Sequence, residues 1–264
     1  MTSFEALLLG IIQGLTEFLP VSSSGHLEIG NVLLDVQSSE NLLFAVVVHA
    51  ATALSTIVVF RKEILKIIID LFQFQWNEST QFASKILLSM VPVGIVGVFF
   101  EKEVESFFSG NMILVGSMLW VTAALLFFTH YAKKTGGPVT FGKSVIIGIA
   151  QALAIMPGIS RSGSTIATAL YLGVDREKAA RFSFLMVLIP ILGAGFLKLL
   201  DYFDAPGQTD HISSGTLTVG FLAAFISGLI ACQWMITMVK KGKLTYFAYY
   251  CAAMGTLAVI SNWL

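Results

Sequence analysis

Residues 10–27 and 148–165 hold most of the side chains able to do chemistry in this chain, and they are two versions of one pattern. The first reads GIIQGLTEFLPVSSSGHL and the second GIAQALAIMPGISRSGST. A constant offset of 138 pairs Gly10 with Gly148, Gln13 with Gln151, Leu15 with Leu153, Ser22 with Ser160, Ser24 with Ser162 and Gly25 with Gly163. The register continues weakly through Leu34 with Leu172, Val36 with Val174 and Phe44 with Phe182. That run is free of insertions, as expected of two copies of a single unit. The informative positions are those where the copies differ. Glu17 faces Ile155, Ser23 faces Arg161 and His26 faces Ser164, so one copy supplies a carboxylate and an imidazole and the other a guanidinium.

Arg161 lies in apolar surroundings, where a charge costs at least a few kcal/mol unless it is paired. Two partners satisfy it: Glu17, which would weld the repeats together, or an anionic ligand. Ser22, Ser23, Ser24, Ser160, Ser162 and Ser164 precede helix starts. There they serve as plain N-caps, or their hydroxyls and the free backbone N–H groups converge on phosphate oxygens. The doubled pattern favours phosphate. Gln13 and Glu17 are one helical turn apart and share a face, while Gln13 and Gln151 either satisfy loop backbone or touch the ligand. His26 follows Ser23 by three residues, within reach if Gly25 lets the turn close. The pair then reads as base and nucleophile, or His26 is a hydrogen-bonded structural residue. His49, mid-span, is expected to be structural, His130 and His211 interfacial, and Glu28 a helix residue on another face.

The elements around these motifs are those of a membrane protein. Of 264 residues, 56% are apolar and only 12% charged, with zero net charge, and the mean hydropathy is +0.82. A soluble fold of this length cannot hide that much apolar surface, and neutrality argues against a nucleic-acid partner. Cys232 and Cys251 sit in apolar segments as small core residues. The N-terminus carries Glu5, lacks a basic stretch and runs into polar SSSGH, so it is not a removable signal.

Residues 4–19 break at Pro20 before 27–34 resumes, and neither arm reaches the about 20 residues a spanning helix needs. The pattern predicts a re-entrant helix–loop–helix whose loop is buried in protein or faces a wet cavity. Spans follow at 41–60, 83–100 and 111–130, with an amphipathic connector at 63–79 carrying Trp76 at headgroup depth. A Gly-Gly-Pro turn at 136–138 leads to the second copy, with arms at 143–156 and 164–173 and spans at 181–200, 216–239 and 245–264. DREKAAR at 175–181 reads as a capped, charged helix start. The expected fold is therefore an all-α polytopic membrane protein, a single integral domain of two repeats (about 1–135 and 136–264). It would have six transmembrane helices and two re-entrant hairpins. Basic loops after the first and third spans, at 176–181 and at 240–243, mark the cytoplasm. The loops at 101–110 and 201–215, the latter with Asp201, Asp204 and Asp210, fall outside with both termini. An odd number of spans per repeat inverts the second copy, so the hairpins enter from opposite faces and their tips meet near the midplane.

At these residues the sequence resembles the integral-membrane undecaprenyl-diphosphate phosphatases, or bacitracin-resistance proteins, over essentially its whole length. The resemblance rests on QGLTEFLPVSSSGHL at 13–27, PGISRSGST at 157–165 and LGVDREKAARFSF at 172–184. It implies inverted repeats in the bacterial inner membrane and removal of the terminal phosphate of the C55 lipid diphosphate, which recycles the peptidoglycan carrier lipid and confers bacitracin resistance. The family's (Glu/Gln)xxxGlu motif falls on Gln13 and Glu17, its serine and histidine on Ser23 and His26, and its arginine on Arg161. The implied catalytic set is Glu17, Ser23, His26 and Arg161, with Gln13, Ser22, Ser24, Gly25, Gln151, Ser160, Ser162, Gly163 and Thr165 binding substrate. The resemblance also implies a divalent cation, Mg²⁺ or Ca²⁺, on Glu17. With an amide at position 13, a two-carboxylate clamp is not available. Either Ser23, assisted by His26, or His26 itself would attack phosphorus. The partners are the polyprenyl diphosphate and the bilayer, and the oligomeric state, a homodimer included, stays open. Two rival readings use the same residues: a lipid-phosphate flippase or anion transporter with a midplane site, and a structural protein whose polar tips are internal glue.

Overall fold

The computed structural model describes residues 1–36, 41–107, 110–132, 136–193, 195 and 212–261, and all of its regular elements are helices. Four short helices form two hairpins. α1 (Ser3–Phe18) starts at a capping box, where Thr2 accepts from the Glu5 backbone and Glu5 accepts from that of Thr2. It stops just short of Pro20, which cannot continue a helix. α2 (Ser23–Leu34) is capped by Ser22. α8 (Phe141–Leu153) and α9 (Arg161–Tyr171) repeat the arrangement, with caps at Thr140 and Ser160. The longest of the four has 16 residues, about 24 Å at 1.5 Å per residue, shorter than a hydrocarbon core of about 30 Å.

Between and after the hairpins lie longer apolar helices. α5 (Glu78–Phe99), α7 (Met112–Phe128), which runs on into the single turn Thr129–Tyr131, and α11 (Ser214–Lys240) are long and apolar enough to cross a membrane. α3 (Asn41–Val59) and α4 (Arg61–Leu71) meet that length and composition only when taken together, and they are bent by 79° where they join. α4 is the expected amphipathic connector. It buries none of its residues and leaves Leu65, Ile68 and Ile69 exposed, and Trp76 beyond it stacks on Phe141. α6 (Glu101–Ser106) is a short link and α12 (Thr245–Ser261) an apolar helix of 17 residues. α10 (Arg176–Met186) begins at Asp175, whose carboxylate accepts from the Glu177 and Lys178 backbone, and helical residues resume at 188–193. The expected span at 181–200 therefore has helix in its described part. Asp201, Asp204, Asp210, His211, Lys133 and Lys134 lie outside the described residues.

Packing follows the sequence offset. α1 lies on α11, and its equivalent α8 lies on α5, the equivalent of α11; α3 also packs on α11 and α10 on α5. Each hairpin thus rests on a long helix of the other half. The contacts are close because glycine is there: a Cβ on Gly10 would meet the Gly220 carbonyl oxygen, and one on Gly148 the Ser89 carbonyl oxygen. α7 and α12 cross at Gly116 and Gly255, each of which would drive a Cβ into the other's backbone oxygen. Small residues at such crossings let helix backbones approach where lipid offers no hydrophobic drive. Phe18, Leu119, Phe184, Met186 and Met235 form the centre of the main core, and Ala6, Leu9, Phe44, Val48 and Ala224 a second one. Large apolar side chains such as Leu87, Val98, Leu222 and Ile230 are exposed, as suits helices solvated by lipid.

Candidate functional site

The two hairpin tips meet. Ser22 Oγ accepts from the backbone N–H of Gly158 at 3.0 Å, and Ser162 Oγ donates to the Leu19 carbonyl at 3.2 Å. Thr122 of α7 fixes the second tip by donating to the Gly158 carbonyl and accepting from the Ser160 N–H, both at 2.9 Å. Each tip serine caps its own helix: Ser22 Oγ accepts from Gly25 N–H at 3.2 Å and Ser160 Oγ from Gly163 N–H at 3.0 Å. The carbonyl oxygens of Ser22 and Ser160 accept from the N–H groups of His26 and Ser164. The caps consume the third and fourth N–H groups of each helix. Those of Ser23, Ser24, Arg161 and Ser162 are left without protein partners among the described residues. Ser22 does this at φ 72°, a left-handed conformation costly for a residue with a Cβ, whereas Ser160 has an ordinary φ of −72°.

Glu17 is at the centre. Its side chain is 3% exposed and forms an ion pair with Arg161 of the opposite hairpin. Its Oε2 accepts from Gln13 Nε2 at 2.9 Å and from Ser23 Oγ at 2.8 Å, so Gln13 and Glu17 do share a face. Unlike charges of the two repeats therefore meet here, with the serine of the first tip on the same carboxylate.

A cavity of about 520 Å³ opens over this cluster. Glu17, Ser22, Ser23, Ser24, Gln151, Ser160, Arg161 and Ser162 line its polar floor, and Ala45, Val46, Val93, Val104, Ile155 and Ile191 are among its apolar walls. That size and a mostly apolar lining around a few convergent polar groups suit a ligand with a charged head and a hydrocarbon body. Gln151 is buried and its Oε1 has no partner, like that of Gln13.

Other expected residues lie elsewhere. His26 does not line the cavity, and no hydrogen bond joins it to Ser23. Its Nδ1 lies 2.8 Å from the Ser22 carbonyl oxygen, which only accepts and so fixes the proton on Nδ1. Its Nε2 then takes the Tyr250 hydroxyl at 2.9 Å, with the two rings stacked. Helical geometry aims this ring at its own N-cap and at α12, away from Ser23. Thr165 is likewise off the cavity: its hydroxyl bonds the Arg161 and Ser162 carbonyls and lies 2.5 Å from Ser183 Oγ. Gly25 and Gly163 contribute close approach, since a Cβ on Gly25 would press on Gly158 and one on Gly163 on Pro20 and Ser160, and their N–H groups serve the caps.

His49, read from the sequence as a structural histidine, is in the cavity wall. Its Nδ1 bonds the Ala45 carbonyl at 2.7 Å, as a structural histidine in a helix would, but its Nε2 lies 3.9 Å from Glu17 Oε2. The signal available beforehand was an ionisable residue in the middle of an apolar span, which marks a functional position by default.

Comparison with known proteins places these residues in company. The sequence matches the family described as "Bacitracin resistance protein BacA" over residues 6–257. It is 54% identical over 260 residues to a protein of Parabacteroides distasonis named undecaprenyl-diphosphatase, covering 98% of each chain. Proteins of the same name from Christiangramia forsetii, 53% identical over 262 residues with 98% of each chain covered, and Methanobrevibacter smithii, 36% identical over 280 residues with 99% of this chain and 98% of the other covered, are also similar.

Proposed function

The chain belongs to the bacitracin resistance protein BacA family, and from that premise we infer what its cavity does. It is a multi-pass membrane enzyme that hydrolyses undecaprenyl diphosphate to undecaprenyl phosphate and inorganic phosphate, the reaction that underlies bacitracin resistance. We propose that the terminal phosphate sits over Glu17, Arg161 and Ser23, where the two hairpin tips meet, and that the prenyl chain leaves along the apolar walls. The observation that carries this assignment is the Glu17–Arg161 pair with Ser23 on the same carboxylate, at the floor of the cavity.

The chemistry follows from charge. A diphosphate brings several negative charges to a partly dry site. The unused N–H donors of Arg161 and the free backbone N–H groups at the starts of α2 and α9 are preorganised to receive the oxygens on which charge develops. Ser23 Oγ attacks the terminal phosphorus, the bond from that phosphorus to the bridging oxygen breaks, and undecaprenyl phosphate departs. Water then attacks the phosphoseryl group, releasing phosphate and restoring Ser23. Glu17 orients the Ser23 hydroxyl and holds Arg161 in place. His26, with both ring nitrogens engaged, positions the first tip through the Ser22 carbonyl.

A divalent cation, Mg²⁺ or Ca²⁺, fits beside Glu17 if the substrate completes its shell. A carboxylate offers about four acceptor positions, of which Gln13, Ser23 and Arg161 occupy three, and the buried Gln13 Oε1 has no partner. Among the described residues no three His, Cys, Asp or Glu side chains gather into a metal site. Most of the cation's oxygens would therefore come from the diphosphate, as is usual for Mg²⁺. Bound there, it would neutralise phosphate charge.

The reciprocal packing of α1 on α11 and α8 on α5 supports two inverted repeats with six spans and two re-entrant hairpins. The basic loops support an inner-membrane orientation with both termini and the headgroup entrance on the outer face. The assignment is tested by phosphate release from undecaprenyl diphosphate by purified protein with Mg²⁺ or Ca²⁺, comparing wild type with Glu17→Ala, Ser23→Ala and Arg161→Ala. Loss of release in all three, with the protein still folded, is the expected result. Normal turnover in Ser23→Ala would remove the nucleophile assignment, and a wild type that releases nothing would leave the flippase reading standing.

A further inference from the structure

We propose that His49, rather than His26, is the catalytic base that takes the Ser23 proton, an inference that rests on the phosphatase reading above. His49 comes from α3, outside both hairpins. A third of its side chain is exposed, to a cavity it helps to line. The Ala45 carbonyl can only accept, so at 2.7 Å it fixes the proton on Nδ1 and leaves Nε2 with the lone pair. Nε2 is 3.9 Å from Glu17 Oε2, the carboxylate oxygen on which Ser23 already rests, and Ser23 Oγ is 2.8 Å from the same atom.

The alternatives are engaged. His26 has one ring nitrogen on the Ser22 carbonyl and the other on Tyr250. Glu17 accepts from Gln13 and Ser23 and pairs with Arg161. Protonating Glu17 would discharge that pair and leave the guanidinium of Arg161 without its counter-ion. His49 carries no such obligation at Nε2, which has no hydrogen-bond partner among the described residues.

In the first step the Ser23 O–H bond breaks as Oγ bonds phosphorus, the proton passes to His49 Nε2, and the anhydride bond breaks with its electron pair on undecaprenyl phosphate. That leaving group departs as an anion and needs no proton. In the second step water attacks the phosphoseryl phosphorus. The P–Oγ bond breaks, His49 returns its proton to Oγ, and the water's protons leave with inorganic phosphate.

The test uses full-length protein in detergent, with undecaprenyl diphosphate and Mg²⁺. His49→Gln and His49→Ala should lower kcat by about 100-fold or more, the usual share of a general base, with KM within about threefold of wild type. His26→Gln should lose less. Added imidazole should restore turnover to His49→Ala and not to Ser23→Ala, a rescue that no purely structural role explains. His49→Gln turning over within about threefold of wild type would overturn the assignment, as would a loss in His49→Ala that imidazole leaves unchanged. An active wild type with an unimpaired His49→Gln sinks this inference alone, whereas an inactive wild type sinks the phosphatase reading as well.

Discussion

Ser22 Oγ accepts a 3.0 Å hydrogen bond from the backbone N–H of Gly158, so a single hydroxyl ties the tip of one hairpin to the tip of the other. The same oxygen caps α2 through Gly25, and it does so from a left-handed backbone position. The repeats are thus joined by their caps as well as by the Glu17–Arg161 pair. Cap strain is borne only on the side that carries Ser23.

Replacing Ser22 should separate these contributions. Ser22→Ala loses a cap worth about 1–2 kcal/mol and orphans the buried Gly158 N–H, at about 1–3 kcal/mol, while keeping a Cβ in a left-handed conformation. Ser22→Gly loses the same hydroxyl but suits a positive φ. Thermal unfolding in detergent should therefore rank wild type above Ser22→Gly above Ser22→Ala. An alanine variant as stable as wild type would show that the tie between tips contributes nothing.

Arg161 and Glu17 should behave as a pair in stability and as individuals in catalysis. Removing Arg161 leaves the buried Glu17 carboxylate uncompensated, at up to about 3–5 kcal/mol, and removing Glu17 leaves the partly exposed guanidinium without its counter-ion at a smaller cost, so Arg161→Ala and Glu17→Gln should each lower the melting temperature. Their combination should recover part of that loss, since the remaining charge is gone. Turnover should stay abolished in the double variant. Recovery of both stability and activity together would mean that the pair only welds the repeats. Arg161→Lys should also turn over poorly, because an ammonium does not reproduce the planar fork on phosphate.

How far the sequence led depended on whether a feature was local or required knowing the direction of a side chain. The repeat offset of 138, the caps at Ser22 and Ser160, the one-turn spacing of Gln13 and Glu17 and the capped start at Asp175 were legible, because each is set within a few residues. The meeting of unlike charges was legible too, because a duplicated unit with Arg161 in one copy and Glu17 in the other has few other ways to satisfy a guanidinium in apolar surroundings. The two histidines were not. His26 stands three residues from Ser23, but the turn of α2 aims its ring back at Ser22 and across to Tyr250, 224 residues away in sequence. His49 looked isolated because its partner Glu17 belongs to another helix, and only the packing of α1 against α3 brings the two together.

Glycine substitutions should sort by packing rather than by helix propensity. A Cβ on Gly255 would press on the Gly116 carbonyl oxygen and on the Trp120 ring, so Gly255→Ala should force α7 and α12 apart and cost about 1–3 kcal/mol. Gly94 and Gly97 of α5 have nothing within 4 Å of where a Cβ would sit, so Gly94→Ala and Gly97→Ala should be neutral or gain up to about 1 kcal/mol from helix propensity. Denaturant or thermal unfolding of the three variants checks this. A Gly255→Ala protein as stable as Gly94→Ala would mean that the α7–α12 crossing is looser than its geometry.

The last prediction concerns which way the cavity faces. Val104 of α6 lines it, so a headgroup entering beside α6 would arrive from the side of the membrane on which α6 lies. Glu103 is exposed on that short helix, and Lys241 is exposed in the basic turn between α11 and α12. Cys232 and Cys251 are buried and free, so they offer little background to a thiol reagent. An impermeant maleimide added to intact cells should therefore label Glu103→Cys and leave Lys241→Cys unlabelled until the membrane is opened. The positive-inside bias requires that order. The reverse pattern would turn the cavity towards the cytoplasm, and a substrate arriving there would have to be made or delivered on that face.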